Sequence, residues 1–380
     1  MRDTSTRTAV GGSLREVSLD LPAIVGAARE HEPPLHLATV VDTEGPCYRR
    51  TGARMLIGAS GRLAGCVSGG CLERDLVRRA AWLAAEGPRV LTYDTAAEGD
   101  EEDRAYLGCG GTVHVLVEAL EPAKRALLEQ VARQRAPSTL VTVLSSSDPT
   151  VGVGEAFAVT TDHEFGEPSW RALAVDLARQ SLDDGVHVRG VVETDAGPLD
   201  VLAEHVPPRR ALLVAGIHHD VAPVVELARA AGWEVTLAAG RAHDVAAGAD
   251  DRLGLERAAV ERWLRDHPHG AFVIMNHSVA LDRLCLGAAL AAGARPYVGL
   301  LGPVDRTQKI VDVLRETEHP SEAAIERVRA PVGVPLGGEG PAAVALSIVA
   351  ELEQTYARRV ATRRVSPPAA IGERPSVSRR

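Results

Sequence analysis

The most regular pattern lies in the second half of the chain. Short aliphatic runs at residues 211–215, 234–238, 271–275 and 297–301 alternate with segments of helical spacing at 222–231, 255–264, 280–291, 307–314 and 342–354. Strands that are apolar at nearly every position are buried on both faces, and their alternation with ten-to-fifteen-residue helices predicts βαβ units and a parallel sheet. A Rossmann-like domain follows from that pattern. The first half reads differently. Residues 35–41 form a β-branched apolar run, and 54–57 with Gly58-Ala59-Ser60-Gly61 and Leu63 predict a hairpin. After Gly69-Gly70, Leu72, Leu76, Val77 and Ala80 recur at helical spacing, and Gly87-Pro88 ends the run. Strands are predicted at 89–93 and 112–118, making a compact α+β unit.

Between these halves the pattern is weaker. Pro122 opens a helix to about residue 133, a strand is predicted at 139–144, a helix at 168–182 and a strand at 187–192. Two consecutive prolines, Pro207-Pro208, resist helix and central strand alike, so the domain boundary is placed there. No repeat of fixed period is present.

Composition changes this picture in four places. Only 3 Phe, 4 Trp and 5 Tyr occur in 380 residues, so the core is aliphatic and base stacking on aromatic rings is excluded as a main binding mode. The formal charge of −9 has the wrong sign for a protein that neutralises nucleic-acid phosphates over a broad face. Residues 358–380 carry seven arginines against one acid, Glu373, with Pro367, Pro368 and Pro375, and are expected to form a disordered basic tail. No signal-peptide or membrane-spanning stretch is evident, and five cysteines, an odd number, fit reduced thiols better than a disulfide framework. A cytoplasmic location, with no nucleic-acid or membrane partner, is the expectation.

Chemistry concentrates around glycine-flanked cysteines. In Gly65-Cys66-Val67-Ser68-Gly69-Gly70-Cys71-Leu72-Glu73, glycines run into a helix start, where N–H groups can hold an anion or lower the pKa of a thiol in the first turn. A tight turn with a buried small cysteine is the plainer alternative. A second thiol lies in Leu107-Gly108-Cys109-Gly110-Gly111, after the acidic run 98–103. Three glycines in four residues permit close approach of backbone to a ligand. Should Cys71 and Cys109 converge, they would form a two-thiol cleft suited to a soft metal or to carrying sulfur. Arg49, Arg50 and Arg54 on a glycine-bearing loop could clamp a phosphate or carboxylate, or serve as ordinary surface arginines.

These residues resemble a known family. Thr39-Val40-Val41, Glu44-Gly45, Arg49-Arg50, Gly52-Ala53-Arg54-Met55, Gly61-Arg62, Val67-Ser68-Gly69-Gly70-Cys71 with Glu73, and Gly108-Cys109-Gly110-Gly111 are similar to the N-terminal domain of the XdhC/CoxI family. Met275-Asn276-His277 with Leu281-Asp282, Tyr297-Val298-Gly299-Leu300-Leu301-Gly302, Ala330-Pro331-Val332-Gly333 and residues 345–351 are similar to its Rossmann half. The fold class expected is α/β: an N-terminal α+β domain of XdhC/CoxI type at 14–120, a connecting α/β region at 121–207, a Rossmann-like doubly wound parallel-sheet domain at 208–357, and the tail. The resemblance implies a maturation factor without a reaction of its own. Such a protein binds molybdenum cofactor (molybdopterin) as cargo, protects it during sulfuration, and delivers it to a xanthine dehydrogenase or related molybdenum hydroxylase. A cysteine desulfurase would be a further partner, and a homo-oligomer is compatible. The cofactor-binding residues it implies are Arg49, Arg50, Gly69, Gly70, Cys71, Gly108, Cys109 and Gly110, with Gly216 and His277 in the second domain. Where family members often carry Ser-Ser-Pro before the arginines, this chain has Pro46-Cys47-Tyr48.

A departure concerns nucleotide binding. A dinucleotide fingerprint needs three glycines, and in Gly216-Ile217-His218-His219-Asp220-Val221 only Gly216 remains, with His218 at the second position and Val221 at the third. Ala238-Ala239-Gly240 supplies no acid for a ribose hydroxyl, so NAD in the usual pose is disfavoured. The rival function, an NAD(P)-dependent oxidoreductase, is weakened accordingly. The same strand ends offer His218, His219, Arg241, His243, Asp244, Asn276, His277 and Asp282. His218, His219 and His243 are candidate metal ligands; anion contacts or solvated loop histidines are the alternatives.

Overall fold

The computed structural model describes residues 20–94, 110–239, 248–356 and 362–364. The chain forms two compact units, one of residues 1–132, 138–206 and 358–380, the other of residues 133–137 and 207–357.

The first unit contains two sheets. Five antiparallel strands, β1 (His36–Glu44), β2 (Arg54–Gly58), β3 (Gly61–Gly65), β4 (Arg89–Asp94) and β5 (Thr112–Ala119), lie in the order β3-β2-β1-β5-β4. Helix α2 (Cys71–Ala85) covers one face of this sheet, placing Leu72, Leu76, Ala80 and Leu83 against Val40, Met55, Val115 and Val117. Helices α1 (Asp20–Glu30) and α3 (Pro122–Ala132) pack together through Ile24, Ala28, Leu127 and Val131. The second sheet has the order β17-β9-β10-β6-β7-β8, from β6 (Ser138–Ser146), β7 (Ala156–Thr160), β8 (Glu164–Phe165), β9 (His187–Thr194), β10 (Gly197–Val206) and β17 (Thr362–Arg364). Helix α4 (Arg171–Asp184) seals its outer face over Phe157, Trp170 and Val188.

The facing surfaces of these sheets enclose charge. Beside the charges lie two apolar clusters, one of Val41, Leu116, Leu144 and Leu202 and one that includes Leu37 and Leu56 of the first sheet with Leu140 and Ala158 of the second. Arg189 donates to Asp42 at 2.6 Å and to Asp200 at 2.5 and 3.1 Å, and all three side chains are buried. Burial opposes the arginine's charge, but Asp200 and Asp42 outweigh it and hold Arg189 above its ordinary value. Arg54 grips Glu204 through two contacts of 2.9 and 2.5 Å, and Lys124 meets Glu118 at 3.2 Å. Residues 138–206, within the stretch that reads from sequence as a connecting α/β region, thus supply five of the six strands of this second sheet to the first unit. The expectation of a disordered tail is corrected at Thr362–Arg364, which pair in parallel with β9. An edge strand with unpaired amides and carbonyls is a template for such an addition.

In the second unit the strands are β11 (Ala211–Ala215), β12 (Glu234–Ala238), β13 (Asp251–Leu253), β14 (Ala271–Ile274), β15 (Tyr297–Leu300) and β16 (Val328–Arg329). Their spatial order is β13-β12-β11-β14-β15-β16, parallel throughout, so the chain winds outward from β11 in both directions. Helices α5 (Val221–Ala230) and α10 (Pro341–Tyr356) cover one face. The other is covered by α6 (Arg257–Asp266), α7 (Val279–Ala291) and α8 (Val304–Glu318), with the short α9 (Glu322–Ile325) beyond them. This is the doubly wound sheet read from the sequence, and its reversal between β11 and β14 opens a crevice at the strands' carboxyl ends. No helix among the described residues is long and apolar enough to cross a membrane.

Candidate functional site

Three glycine-bearing segments of the first unit meet at one end of its first sheet. Glu44, the last residue of β1, pairs with Thr112, the first of β5. A Cβ on Gly111 would stand 2.5 Å from the carbonyl oxygens of both Glu44 and Pro46, so only glycine permits this approach. Cys47 fills the space beneath, its thiol donating to the carbonyls of Glu44 at 3.6 Å and Thr112 at 3.5 Å. The next residue, exposed Tyr48, lies beside Gly69, 3.9 Å from where a Cβ there would sit. The loop carrying Arg49 and Arg50 therefore adjoins both the Gly110-Gly111 segment and the start of α2.

Arg49 and Arg50 are half-buried, and Arg50 donates to the Gly45 carbonyl at 3.1 Å. Gly69 and Gly70 are exposed; Gly70 has φ +119°, which favours glycine, and nothing lies within 4 Å of a Cβ added there. The turn thus presents bare backbone outward. Cys71 is the first residue of α2. Gly110 is exposed at φ +71°, while Gly108 and Cys109 lie outside the described residues.

Two expectations change. Arg54 is no anion clamp, because its buried guanidinium is engaged by Glu204 and the Gly52 carbonyl. At the start of α2, the Gly70 N–H is held by Ser68 Oγ at 3.1 Å and Glu73 Oε2 at 3.0 Å, and the Leu72 N–H by Ser68 Oγ at 3.2 Å. Glu73 also accepts from the amides of Val67 at 3.0 Å and Ser68 at 2.7 Å, and from the Ser68 hydroxyl. These helix-start amides are satisfied from within, as in a capping box. Glu73 is the residue whose role the sequence understated; its place three residues after Gly70 was the available signal.

The second unit has its own cleft, about 740 Å³, at the carboxyl ends of β11, β14 and β15. His218, His219, Asp220, His277 and Arg306 line it together with Leu301 and Val344. His277 adopts φ +55°, a left-handed conformation unusual for a residue with a side chain. Its Nε2–H donates to Asp220 Oδ2 at 2.6 Å, and its ring meets that of His218 edge-on, centroids 5.2 Å apart. Behind it, buried Asp282 accepts from the Asn276 amide at 3.2 Å and from Asn276 Nδ2 at 3.1 Å through one oxygen, and from Arg306 at 2.5 Å through the other. Asp282 thereby ties the turn after β14 to α8. Gly216 is needed for packing: a Cβ there would meet Val221 Cγ2 at 2.5 Å and the Met275 carbonyl at 3.0 Å. Among the described residues no group of three or more His, Cys, Asp or Glu side chains is arranged to hold a metal ion. His218 and His219 line the cleft, and His243 lies outside the described residues.

Comparison with known proteins follows the same division. The model of the XdhC and CoxI family matches residues 28–94, a span that includes Arg49, Arg50, Gly69, Gly70 and Cys71. The XdhC Rossmann domain matches residues 212–352, which include Gly216, His218, His219, His243 and His277. A Bacillus subtilis protein described as a probable xanthine dehydrogenase subunit is 28% identical over 344 residues, spanning 88% of this chain and 97% of that protein. The crystal structure of a xanthine dehydrogenase from Bacillus halodurans is similar with a TM-score of 0.67 at 25% identity, over 88% of this chain and 95% of the other. With both characteristic domains present in order, the chain belongs to the XdhC and CoxI family.

Proposed function

We propose that this chain is a xanthine dehydrogenase accessory protein. It takes molybdenum cofactor as cargo, shields it during sulfuration, and passes it to an apo-molybdenum hydroxylase of the xanthine dehydrogenase type. It is a binding protein without a reaction of its own, and a cysteine desulfurase is the partner that would supply sulfur. The observation that carries this reading is the meeting of the arginine loop, the Gly69-Gly70 turn and the Gly110-Gly111 segment at one end of one sheet.

The residues present suit the cargo in stated ways. Molybdopterin offers a phosphate, dithiolene sulfurs and a metal–oxo centre. Arg49 and Arg50 provide permanent positive charge for the phosphate. Exposed Gly69 and Gly70 allow a flat pterin to approach bare backbone. A thiol in the first turn of a helix, as at Cys71, is a suitable partner for molybdenum or for sulfur. Buried Glu73 works against an anion at the helix start, so the phosphate is assigned to the arginines. No dinucleotide is invoked, since His218 and Val221 replace two glycines of the fingerprint.

The test is anaerobic loading of the purified chain with molybdopterin, gel filtration, and measurement of retained molybdenum and pterin. Cys71→Ala and Cys109→Ala are each expected to lower retention. The Arg49→Ala/Arg50→Ala double variant should weaken binding and reduce its salt dependence. Undiminished retention in both cysteine variants would remove the thiol assignment.

A further inference from the structure

On the second sheet of the first unit, α4 and the end of β9 form an open groove of about 520 Å³. Leu173 and Leu177 of α4 with Val191 and Val192 of β9 make it apolar, and Asp176 and Glu193 give it a negative charge with no lysine or arginine in its lining. Leu173 keeps 53% of its surface exposed. Both acids are exposed, and neither side chain makes an ion pair or a hydrogen bond among the described residues. The backbone is open as well. Strand β9 pairs with β10 along Val188–Thr194, but on its outer edge it pairs with β17 at His187, Val188 and Arg189 alone. Gly190 to Thr194 therefore present an outer edge to which no described strand is bonded, a ready template for a further segment of chain.

The direction of β17 says which segment that is. It runs parallel to β9, with Thr362 beside His187, Arg363 beside Val188 and Arg364 beside Arg189. Continued residue for residue, this register sets Val365 beside Gly190, Ser366 beside Val191, and Pro367 and Pro368 beside Val192 and Glu193. The chain leaves β17 heading into the groove. Its composition suits what it would meet there. Residues 365–371 read Val-Ser-Pro-Pro-Ala-Ala-Ile, uncharged and mostly apolar, and beyond them Arg374, Arg379 and Arg380 stand against one acid, Glu373. Proline is tolerated on an outermost strand, where its missing N–H would face solvent, and a proline pair holds an extended conformation with little entropy left to lose.

We propose that this groove is the docking site of the chain's own segment 365–371, which extends β17 along the open edge of β9 and lays its apolar residues between Leu173, Leu177 and Val192, with the arginines that follow it drawn to Asp176 and Glu193. Covalent connection favours this occupant over a segment of another protein. A segment joined directly to β17 faces the groove at an effective concentration of about millimolar or more, which a separate partner would have to exceed. The docked segment closes the edge of the sheet, and Pro367 and Pro368 end the ladder so that no further strand can add beyond it. The delivery role is independent of this docking.

Amide hydrogen exchange of the full chain, compared with a chain ending at Arg364 that keeps β17, tests the docking. Outward-facing amides within residues 190–194 are expected to exchange at least about tenfold more slowly in the full chain, while those bonded to β10 are unchanged. Leu173→Glu, at an exposed position, should bring the full chain to the rates of the shortened one and change nothing further in the shortened chain, since both alterations remove the same contact. Asp176→Lys/Glu193→Lys should speed exchange by about two- to fivefold at low salt and by less at high salt. Three results would overturn the proposal: equal rates at 190–194 in the full and shortened chains, an effect of Leu173→Glu that is the same in both, or protection that disappears on dilution, which would assign the groove to a segment from a second copy. Loss of cargo retention in the cysteine variants leaves these rates unaltered, so the two readings fail separately.

Discussion

The two units bury charge in opposite ways. In the first, arginines and carboxylates lie in the middle of the structure, between two sheets: Arg189 with Asp42 and Asp200, Arg54 with Glu204. In the second, both faces of the sheet are packed with apolar side chains, and its ionic cluster at Asp282, Arg306, His277 and Asp220 is gathered at the strand ends. Buried ions are costly unless each is matched, and a matched set contributes geometry more than stability. Buried charge at a sheet–sheet contact therefore acts as a clamp that fixes how the sheets meet. Charge at the mouth of this parallel sheet holds the turn that carries His277. The same residue types carry different meanings because their surroundings differ.

The largest effect tests the clamp. Arg189→Ala would take from Asp42 and Asp200 the guanidinium they share, and a loss of about 3–5 kcal/mol is expected in urea unfolding. A loss below about 1 kcal/mol would show that the charges are solvated and the clamp is absent. The counterpart in the second unit is Asp282→Ala, which strips the Asn276 amide and Arg306 of their shared acceptor. A loss of about 1–3 kcal/mol is expected. Arg189→Ala is expected to lose more, and that difference between the two variants is what the comparison predicts.

A smaller effect concerns acid. His267 in the second unit and His36 in the first are both held below the ordinary histidine value, in each case chiefly by burial. In the unfolded chain these rings take up protons as the pH drops below about 6.5, while in the folded chain they stay neutral to lower pH. Unfolding therefore binds protons, and stability falls as pH falls through that window. Replacing His267 with Gln should flatten the pH dependence of the melting temperature below neutrality. An unchanged slope in the variant would contradict the assignment. The smallest effect is on thiol chemistry. Burial, with Asp282 nearby and despite an N–H from Asn276, pushes Cys285 up to about 12. It should react with a maleimide only on unfolding, after half-buried Cys47 and Cys66.

Much of the second unit was legible because its strands are apolar at nearly every position, as β11 is at all five, so the alternation with helices stood out. The first unit was harder for a physical reason. Strand β10 gives no clear signal because Asp200 and Glu204 break its apolar run, although both are buried and matched by arginines, Glu204 by Arg54 150 residues away and Asp200 by Arg189 on the neighbouring strand. Arg54 reads from sequence as an anion clamp or an ordinary surface arginine for the same reason: a charged side chain looks exposed until its partner 150 residues away is known. The short strand at Thr362–Arg364 lies in a stretch dominated by arginine and proline and gave no strand signal. At the sites, the glycines, arginines and histidines were nameable in advance, since each type suits phosphate or thiol chemistry. Their meeting was not, because it depends on the β1–β5 register and on the Asp282–Arg306 contact between two helices.

The proposed role requires the first unit to hold a cargo that a separate enzyme needs. Its most direct measurement is transfer: the chain loaded anaerobically with sulfurated cofactor is mixed with an apo-form molybdenum hydroxylase, and the hydroxylase activity that appears is compared with that from free cofactor. The account predicts faster and fuller activation from the loaded chain, reduced by Cys71→Ala and by the paired arginine replacements. Activation that is equal with free cofactor, or unaffected by all of these replacements, would contradict it.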